Sequence, residues 1–213
     1  MKDGKEMNLT VNATLKWMEK MNEKVQANKE YLTELDQAIG DGDHGINMSR
    51  GFQEVVNKIS VTSYETVSDC LKDVAMTLMT KVGGASGPLY GTAFLKMSIS
   101  LRGKDKVDGM ALILAIDEAV KGMIQRGKAA VGNKTMLDVW IPILNLFQEK
   151  QSIDWNDVER TAKNSMEKTR EMLAIKGRAA YLKERSIGHI DAGSASSFYL
   201  FQSLAEVARE CEI

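Results

Sequence analysis

DQAIGDGDHGINMSRGFQEVVNKI, residues 36–59, carries side by side the two patterns from which the rest of the chain can be read. In its second half Met48, Phe52, Val55 and Ile59 recur at intervals of three and four, which places them on one face of a helix. In its first half Asp36, Asp41 and Asp43 crowd around a turn that Gly40 and Gly42 free to bend tightly. No lysine or arginine lies within 36–45 to neutralise them. Like charges this close repel unless a cation sits between them, and hard oxygen ligands suit Mg²⁺ or Ca²⁺. Glycine and aspartate are also ordinary turn residues, so on its own the stretch reads either as a metal site or as a solvated turn.

The helical pattern repeats outward from there. Val67, Leu71, Val74 and Leu78 form one stripe, and Leu112, Ile116, Ala119 and Met123 another. Leu137, Trp140, Leu144 and Phe147 follow, then Val158, Ala162, Met166, Thr169 and Leu173, and finally Phe198, Phe201, Ala205 and Ala208. Ser63, Asp108, Thr135 and Asp154 precede helical runs and are placed to cap them. Asp138 and Asp157, three residues after two of these, make a weaker relative of the capping box. Pro142 inside the run 136–148 is expected to kink or divide that helix. Alternating β-branched runs are scarce, and no repeat or long linker interrupts the series. The expectation is a single all-α domain over residues 1–213, an up-and-down bundle of about eight helices behind a polar tail at 1–8.

Composition narrows the function classes. A net charge of -1 argues against an obligate nucleic-acid binder or a membrane-surface protein. The polar start MKDGKEMNLT lacks the apolar run of a signal peptide, and no stretch is long and apolar enough to span a bilayer. Cys70 and Cys211 are isolated, so neither a disulfide framework nor a zinc site is indicated. The expected compartment is the cytoplasm.

The connections carry a second argument. Residues 40–45, 83–91, 127–132 and 186–194 are rich in Gly, Ser, Asp and His, whereas those near 60–63, 102–108 and 150–154 are ordinary polar turns. In an up-and-down bundle every second loop emerges at the same end, so the four glycine-rich loops are expected to converge around the carboxylates. GGASGPLYG, taken as a loop leading into a helix at 91–101, exposes backbone amides suited to phosphate oxygens, and Ser86 adds a hydroxyl. Carboxylates alone would repel a polyphosphate; a divalent ion between them bridges it.

Three motif matches fail. Gly40, Gly42 and Gly45 satisfy G-x-G-x-x-G, but no strand precedes them. Gly122, Gly127 and Lys128 approach a P-loop, yet Ala129 stands where Ser or Thr is required. An EF-hand beginning at Asp41 places Phe52 at its twelfth position. Arg178, Lys183 and Arg185 are candidate phosphate clamps or a solvated surface, and Asp191 is a candidate cap for the last helix. His44 and His189, the only histidines, both fall in the converging loops as ligand contacts or as polar loop residues.

Taken in order, the Asp36, Asp41, Asp43-His44-Gly45 turn, GGASGPLYGTAF, GKAAVGNKTMLDVW and GRAAYLKERSIGHIDAGSAS resemble the nucleotide-binding (L) subunit family of dihydroxyacetone kinases over nearly the whole chain. The resemblance implies an eight-helix antiparallel barrel with ADP or ATP at one end. It implies that Asp36, Asp41 and Asp43 bind two Mg²⁺ ions bridging the phosphates. His44, Gly45, Ile46, Asn47, Ala85 and Ser86 would contact the nucleotide, with Gly127, Met136, Arg178 and the Asp191, Ala192, Gly193 turn completing its pocket. Family members often carry proline where this chain has Ala192.

The family's substrate ketone is held by a separate module, which the resemblance puts on a partner chain. A free-standing nucleotide subunit is similar to the type served by the phosphoenolpyruvate phosphotransferase system. There a phosphohistidine carrier rephosphorylates bound ADP, and the phosphoryl group passes to dihydroxyacetone. The alternatives are an ATP-dependent kinase of another ketose or polyol, and a nucleotide-dependent module contacting a transcription regulator. Neither nucleic acid nor membrane is expected as a partner.

Overall fold

A computed structural model describes residues 7–150 and 153–211; most of the expected polar tail, residues 1–6, lies outside them. Among the described residues the chain forms nine α-helices: α1 (Val11–Ala27), α2 (Lys29–Ile39), α3 (His44–Ile59), α4 (Val67–Lys81), α5 (Ser86–Ser100), α6 (Gly109–Gly127), α7 (Leu137–Glu149), α8 (Trp155–Lys168) and α9 (Ala192–Glu210). Two 3-10 segments, Thr169–Glu171 and Arg178–Ser186, lie between the last two. Only Asn28 separates α1 from α2. Its side-chain amide and its backbone N–H both donate to the Lys24 carbonyl, which closes one helix as the next begins.

Eight helices pack as neighbours in a closed ring: α1, α3, α4, α5, α6, α7, α8 and α9, with α9 returning against α1. Helix α2 prolongs the first stave and packs on α3 and α9. The all-α up-and-down arrangement expected from the periodicity, closed into the antiparallel barrel that the resemblance implies, is the fold observed. No described helix is long and apolar enough to cross a membrane.

The apolar stripes fill the ring. Trp17, Phe52, Phe94, Trp140, Phe147 and Phe201 are all but inaccessible, and a fully buried large side chain of this kind is worth roughly 1.5–3 kcal/mol. Trp140 stands edge-on to Phe201 with ring centres 4.9 Å apart. A polar thread also runs through this core. Tyr90 Oη lies 2.8 Å from Ser196 Oγ and 2.9 Å from Ser197 Oγ, and Trp140 Nε1 donates to Ser197 Oγ at 3.1 Å. The two serine hydroxyls come from α9 and the tyrosine hydroxyl from α5, and each finds a partner that replaces the water it lost.

Three local expectations need correction, and a fourth, at Pro142, loses one of its two alternatives. Helix α4 starts on Thr66, whose Oγ1 accepts from the Asp69 amide; Ser63 lies too early in the chain to cap it. Helix α5 begins at Ser86 and not near residue 91, so most of GGASGPLYG is helix. Its glycines serve packing: a methyl on Gly91 would overlap Met79 of α4, and one on Gly87 the Val82 carbonyl. Pro142 does not divide α7, which runs through it. Proline there removes one amide donor, and the buried Ile143, Leu144 and Phe147 beyond it keep the next turn packed in the core. The 158–173 stripe ends early: α8 stops at Lys168, Thr169 enters a 3-10 turn, and Leu173 is exposed.

Candidate functional site

The carboxylate turn is built by the end of α2. A methyl on Gly40 would collide with Asp36 Oδ1, so glycine here makes room for the carboxylate. Gly42 takes φ +73°, a left-handed value that costs glycine nothing. The turn then folds Asp43 and His44 back so that both amides donate to Asp36 Oδ2, at 2.9 and 3.1 Å. Asp36 thus fixes the first turn of α3 with one oxygen. Asp36, Asp41 and Asp43 each offer a carboxylate oxygen, all lying within 4.8 Å of one another. This all-oxygen donor set, grouped on one turn and half open to solvent, fits a hard divalent cation. Arg178 reaches across to Asp41 Oδ2 at 2.9 Å, an exposed pair of small energetic weight.

Beside the trio stands the start of α5. Ala85 is its N-cap residue, and no side chain caps the helix, so its opening amides face the cavity with the positive end of the helix dipole. Ser86 Oγ lies 3.1 Å from His44 Nδ1, and His44 Nε2 lies 2.9 Å from Ser196 Oγ. Both ring nitrogens of His44 are therefore engaged, and the thread Ser86–His44–Ser196–Tyr90–Ser197–Trp140 connects the cavity to the core. Burial pushes the His44 pKa down to about 4, against a smaller upward pull from Asp36 and Asp43, so the ring is neutral at physiological pH.

The opposite wall comes from the segment after α6 and from the approach to α9. Met136, Arg178, Asp191, Ala192 and Gly193 line the same cavity as the trio, His44, Ala85 and Ser86. Asp191 Oδ2 accepts from the Ser194 amide at 2.7 Å and caps α9, as its position in the sequence indicates. Desolvation pushes its carboxyl up to about 6. Ala192 is the first residue of α9.

Of the glycine-rich loops, three reach the cavity directly. The 127–132 loop contributes through the residues just after it, Lys134 to Met136. Four expected contacts stand away from the cavity lining. Gly45 packs α3 on α2, where a methyl would overlap the Lys29 carbonyl and Thr33. Ile46 is exposed on the rim. Asn47 is buried, accepts from Arg50 at 2.8 Å and abuts Gly83, bracing the turn before α5. Gly127 closes α6. His189 is exposed and offers only its backbone carbonyl to the neighbourhood.

Lys134 was not singled out by the sequence reading, although it lines the cavity, is 1% exposed and takes φ +60°. The only hint was its place in GNKTMLD, four residues before an aspartate that caps backwards. Ile39, Ala174 and Ala179 form a second small apolar cluster, with Leu182 packed on it, which holds the 3-10 segment against the end of α2.

Residues 38–206 match the DAK2 domain family. The chain is 52% identical, over 199 residues that make up 93% of it and 98% of the relative, to the PTS-dependent dihydroxyacetone kinase, ADP-binding subunit DhaL, of Lactococcus lactis subsp. lactis. It is 37% identical over 210 residues, 96% of this chain and all of the relative, to the PEP-dependent dihydroxyacetone kinase, ADP-binding subunit DhaL, of Escherichia coli K12. Among solved structures, the dihydroxyacetone kinase from C. freundii in complex with AMP-PNP and Mg²⁺ superposes with a TM-score of 0.73 at 20% identity. That match covers 97% of this chain and 36% of the longer one, and at such identity the likeness is one of fold.

Proposed function

This chain belongs to the DAK2 domain family, and on that premise we propose that it is the ADP-binding subunit of a phosphoenolpyruvate-dependent dihydroxyacetone kinase. Residues 1–213 then act as one cytoplasmic nucleotide-holding unit. It works between a phosphohistidine carrier of the phosphotransferase system and a partner subunit that holds dihydroxyacetone. The observation that carries this reading is the opening of the carboxylate trio into the same cavity as the uncapped start of α5. One surface offers ligands for a cation, the other donors for an anion, which is what a magnesium-bound polyphosphate requires.

In this assignment Asp36, Asp41 and Asp43 hold two Mg²⁺ ions. Ala85, Ser86 and Arg178 face phosphate, while Met136 and the Asp191, Ala192, Gly193 turn wall the nucleotide. When bound, the magnesium-nucleotide supplies the phosphoryl-carrying group and the charge neutralisation that transfer needs. The protein's own part is positioning. His44 is neutral and has both nitrogens occupied, so it orients the Ser86 hydroxyl and leaves no ring nitrogen free to accept a phosphoryl group. Gly45 and Asn47 hold α3 and the turn before α5 in register, Ile46 marks the rim, and Gly127 ends the helix behind Leu89 of the wall.

Mass analysis of the purified protein is expected to find tightly held ADP that exchanges slowly with free ATP. In a coupled assay, turnover is expected only with the dihydroxyacetone-binding subunit, the phosphohistidine carrier, phosphoenolpyruvate and the upstream enzymes all present. Full multiple turnover with ATP and the substrate subunit alone would overturn the phosphotransferase reading in favour of an ATP-dependent kinase.

A further inference from the structure

Between the end of α8 and the start of α9 the chain makes an excursion, residues 169–191, which supplies Lys176, Gly177, Arg178 and Ala179 to the cavity wall. This strap contains no α-helix. It touches α2 through the small cluster around Ile39, and it reaches the carboxylate turn through Arg178 and Asp41. The Ile175 amide also donates to the Asn133 carbonyl, and Ile190 packs in the main core, but three further attachments converge on a single side chain. The Lys134 ammonium donates to the carbonyls of Met172 at 3.2 Å, Ser186 at 2.6 Å and His189 at 2.6 Å. These lie at three separate points of the strap: just past its first 3-10 turn, at the end of its second, and on the approach to α9. An ammonium has three protons, and all three are used on one segment.

The turn that presents Lys134 is itself held. The Asp138 carboxylate, one turn along, accepts from the Gly132 amide at 2.5 Å and from the Thr135 amide at 2.7 Å. Lys134 between them is forced to φ +60°, a conformation that side-chain-bearing residues rarely adopt unless their surroundings over-determine it. A buried cation in a strained turn is costly as mere structure. Here it gathers the segment that faces the site.

We propose that Lys134 is a positioning residue for the nucleotide site: it latches the 169–191 strap against the cavity and thereby sets how fast a bound nucleotide leaves. The release half of this statement rests on the nucleotide reading above, whereas the latch half is readable without any ligand.

The first measurement is amide hydrogen exchange on ligand-free protein. The closed strap engages the Ala174 amide with Ser186 Oγ, the Ile175 amide with the Asn133 carbonyl, and the Gly188 amide with the Arg170 carbonyl. Lys134→Met keeps the chain length but removes the charge and its donors. Exchange at those three amides is expected to accelerate about ten-fold or more, because three charge-assisted bonds are lost, while amides of α5 and α9 exchange as in the parent protein. The second measurement is release of a fluorescent ADP analogue in Mg²⁺. The dissociation rate is expected to rise by about ten-fold with the association rate nearly unchanged, the pattern of a lost latch.

Unchanged strap exchange overturns the proposal, and so does acceleration spread evenly over the barrel, which would make Lys134 a general stabiliser. A loosened strap with unchanged release also overturns it. Failure of the parent protein to bind the analogue would instead sink the nucleotide reading. Should Lys134→Met not fold, Asp138→Asn releases the same turn from outside the cluster and is expected to shift both rates in the same direction; no shift in either overturns the proposal.

Discussion

The two ends of the barrel start their helices differently. At the end away from the cavity, α1, α4, α6 and α8 each begin on their own side chain: Thr10, Thr66, Asp108 and Asp154 accept from amides of Ala13, Asp69, Ala111 and Asn156. At the cavity end α3, α5 and α7 have no such bond from their N-cap residue, and α9 alone follows the far-end rule through Asp191. The opening amides of α3 turn to Asp36 on the neighbouring helix, and the first amide of α7 turns to Thr135 at 3.3 Å. A side-chain cap is worth about 1 kcal/mol, and of the four helices that start at the cavity end α5 begins without any side-chain acceptor. Its opening donors lie beside the crowded carboxylates, where a ligand can use them.

The largest expected effect tests the cavity end. Asp41→Asn or Asp43→Asn is expected to weaken retention of magnesium-ADP by about 100-fold or more, since each removes a charged ligand oxygen. Helix content and ligand-free melting temperature should stay at parent values or rise slightly as repulsion is relieved. Parent-like ADP occupancy of either purified variant would remove the contrast between the ends.

Next in size, Gly45→Ala is expected to cost about 1–3 kcal/mol, because the added methyl overlaps the Lys29 carbonyl and Thr33 in a tight α2–α3 contact. It should also loosen ADP, as α3 carries the amides that Asp36 binds. Thermal unfolding and ADP retention measured together check both halves.

At the far end Asp108→Ala is expected to lower stability by about 1 kcal/mol, or about 2–4 °C in melting temperature for a chain of this size, with ADP retention unchanged. Lost retention in this variant would show that the two ends are not separable.

The smallest net effect is the pH dependence of the parent protein, in which two contributions oppose each other. His44, neutral when folded down to a pKa of about 4, contributes stability that is present above its unfolded value near 6.5 and lost as pH falls towards 4. Asp191, raised to about 6 from 3.8, holds its proton more firmly when folded. Its contribution is present below about pH 4 and lost as pH rises through 6. In EDTA between pH 4 and 6.5, His44→Asn should therefore tilt stability downward with rising pH relative to the parent, and Asp191→Asn should tilt it upward. Parallel curves for all three proteins would refute both shifts.

What could be read from the sequence follows the same division. The stripes through Phe52, Leu71, Leu112, Trp140 and Phe201 announced the staves, because burial on one face imposes the 3.6 period directly. The trio Asp36, Asp41 and Asp43 stood out because three unneutralised carboxylates in a short turn are already a local anomaly. The start of α5 was hidden by its own composition. Gly87 and Gly91 look like loop residues, and only the close approach of α4 explains them as helix. Lys134 was illegible for a different reason. A lysine's destination depends on what packs around it, and here the acceptors lie 38 to 55 residues away. The early end of α8 was equally invisible: Leu173 continues the period, but the chain beyond Thr169 is drawn towards Lys134 and away from the barrel wall.

The thread of hydroxyls from Ser86 to Trp140 has a practical consequence. It ends on the indole N–H of a chromophore sealed in the barrel, 1% exposed and pressed edge-on against Phe201. A second indole, Trp17, is as deeply buried at 1%, donates to the Leu200 carbonyl and takes no part in the thread. The molecule thus contains a wired and an unwired fluorophore in one core, and the difference between their emissions is the natural place to watch the cavity fill without attaching a label.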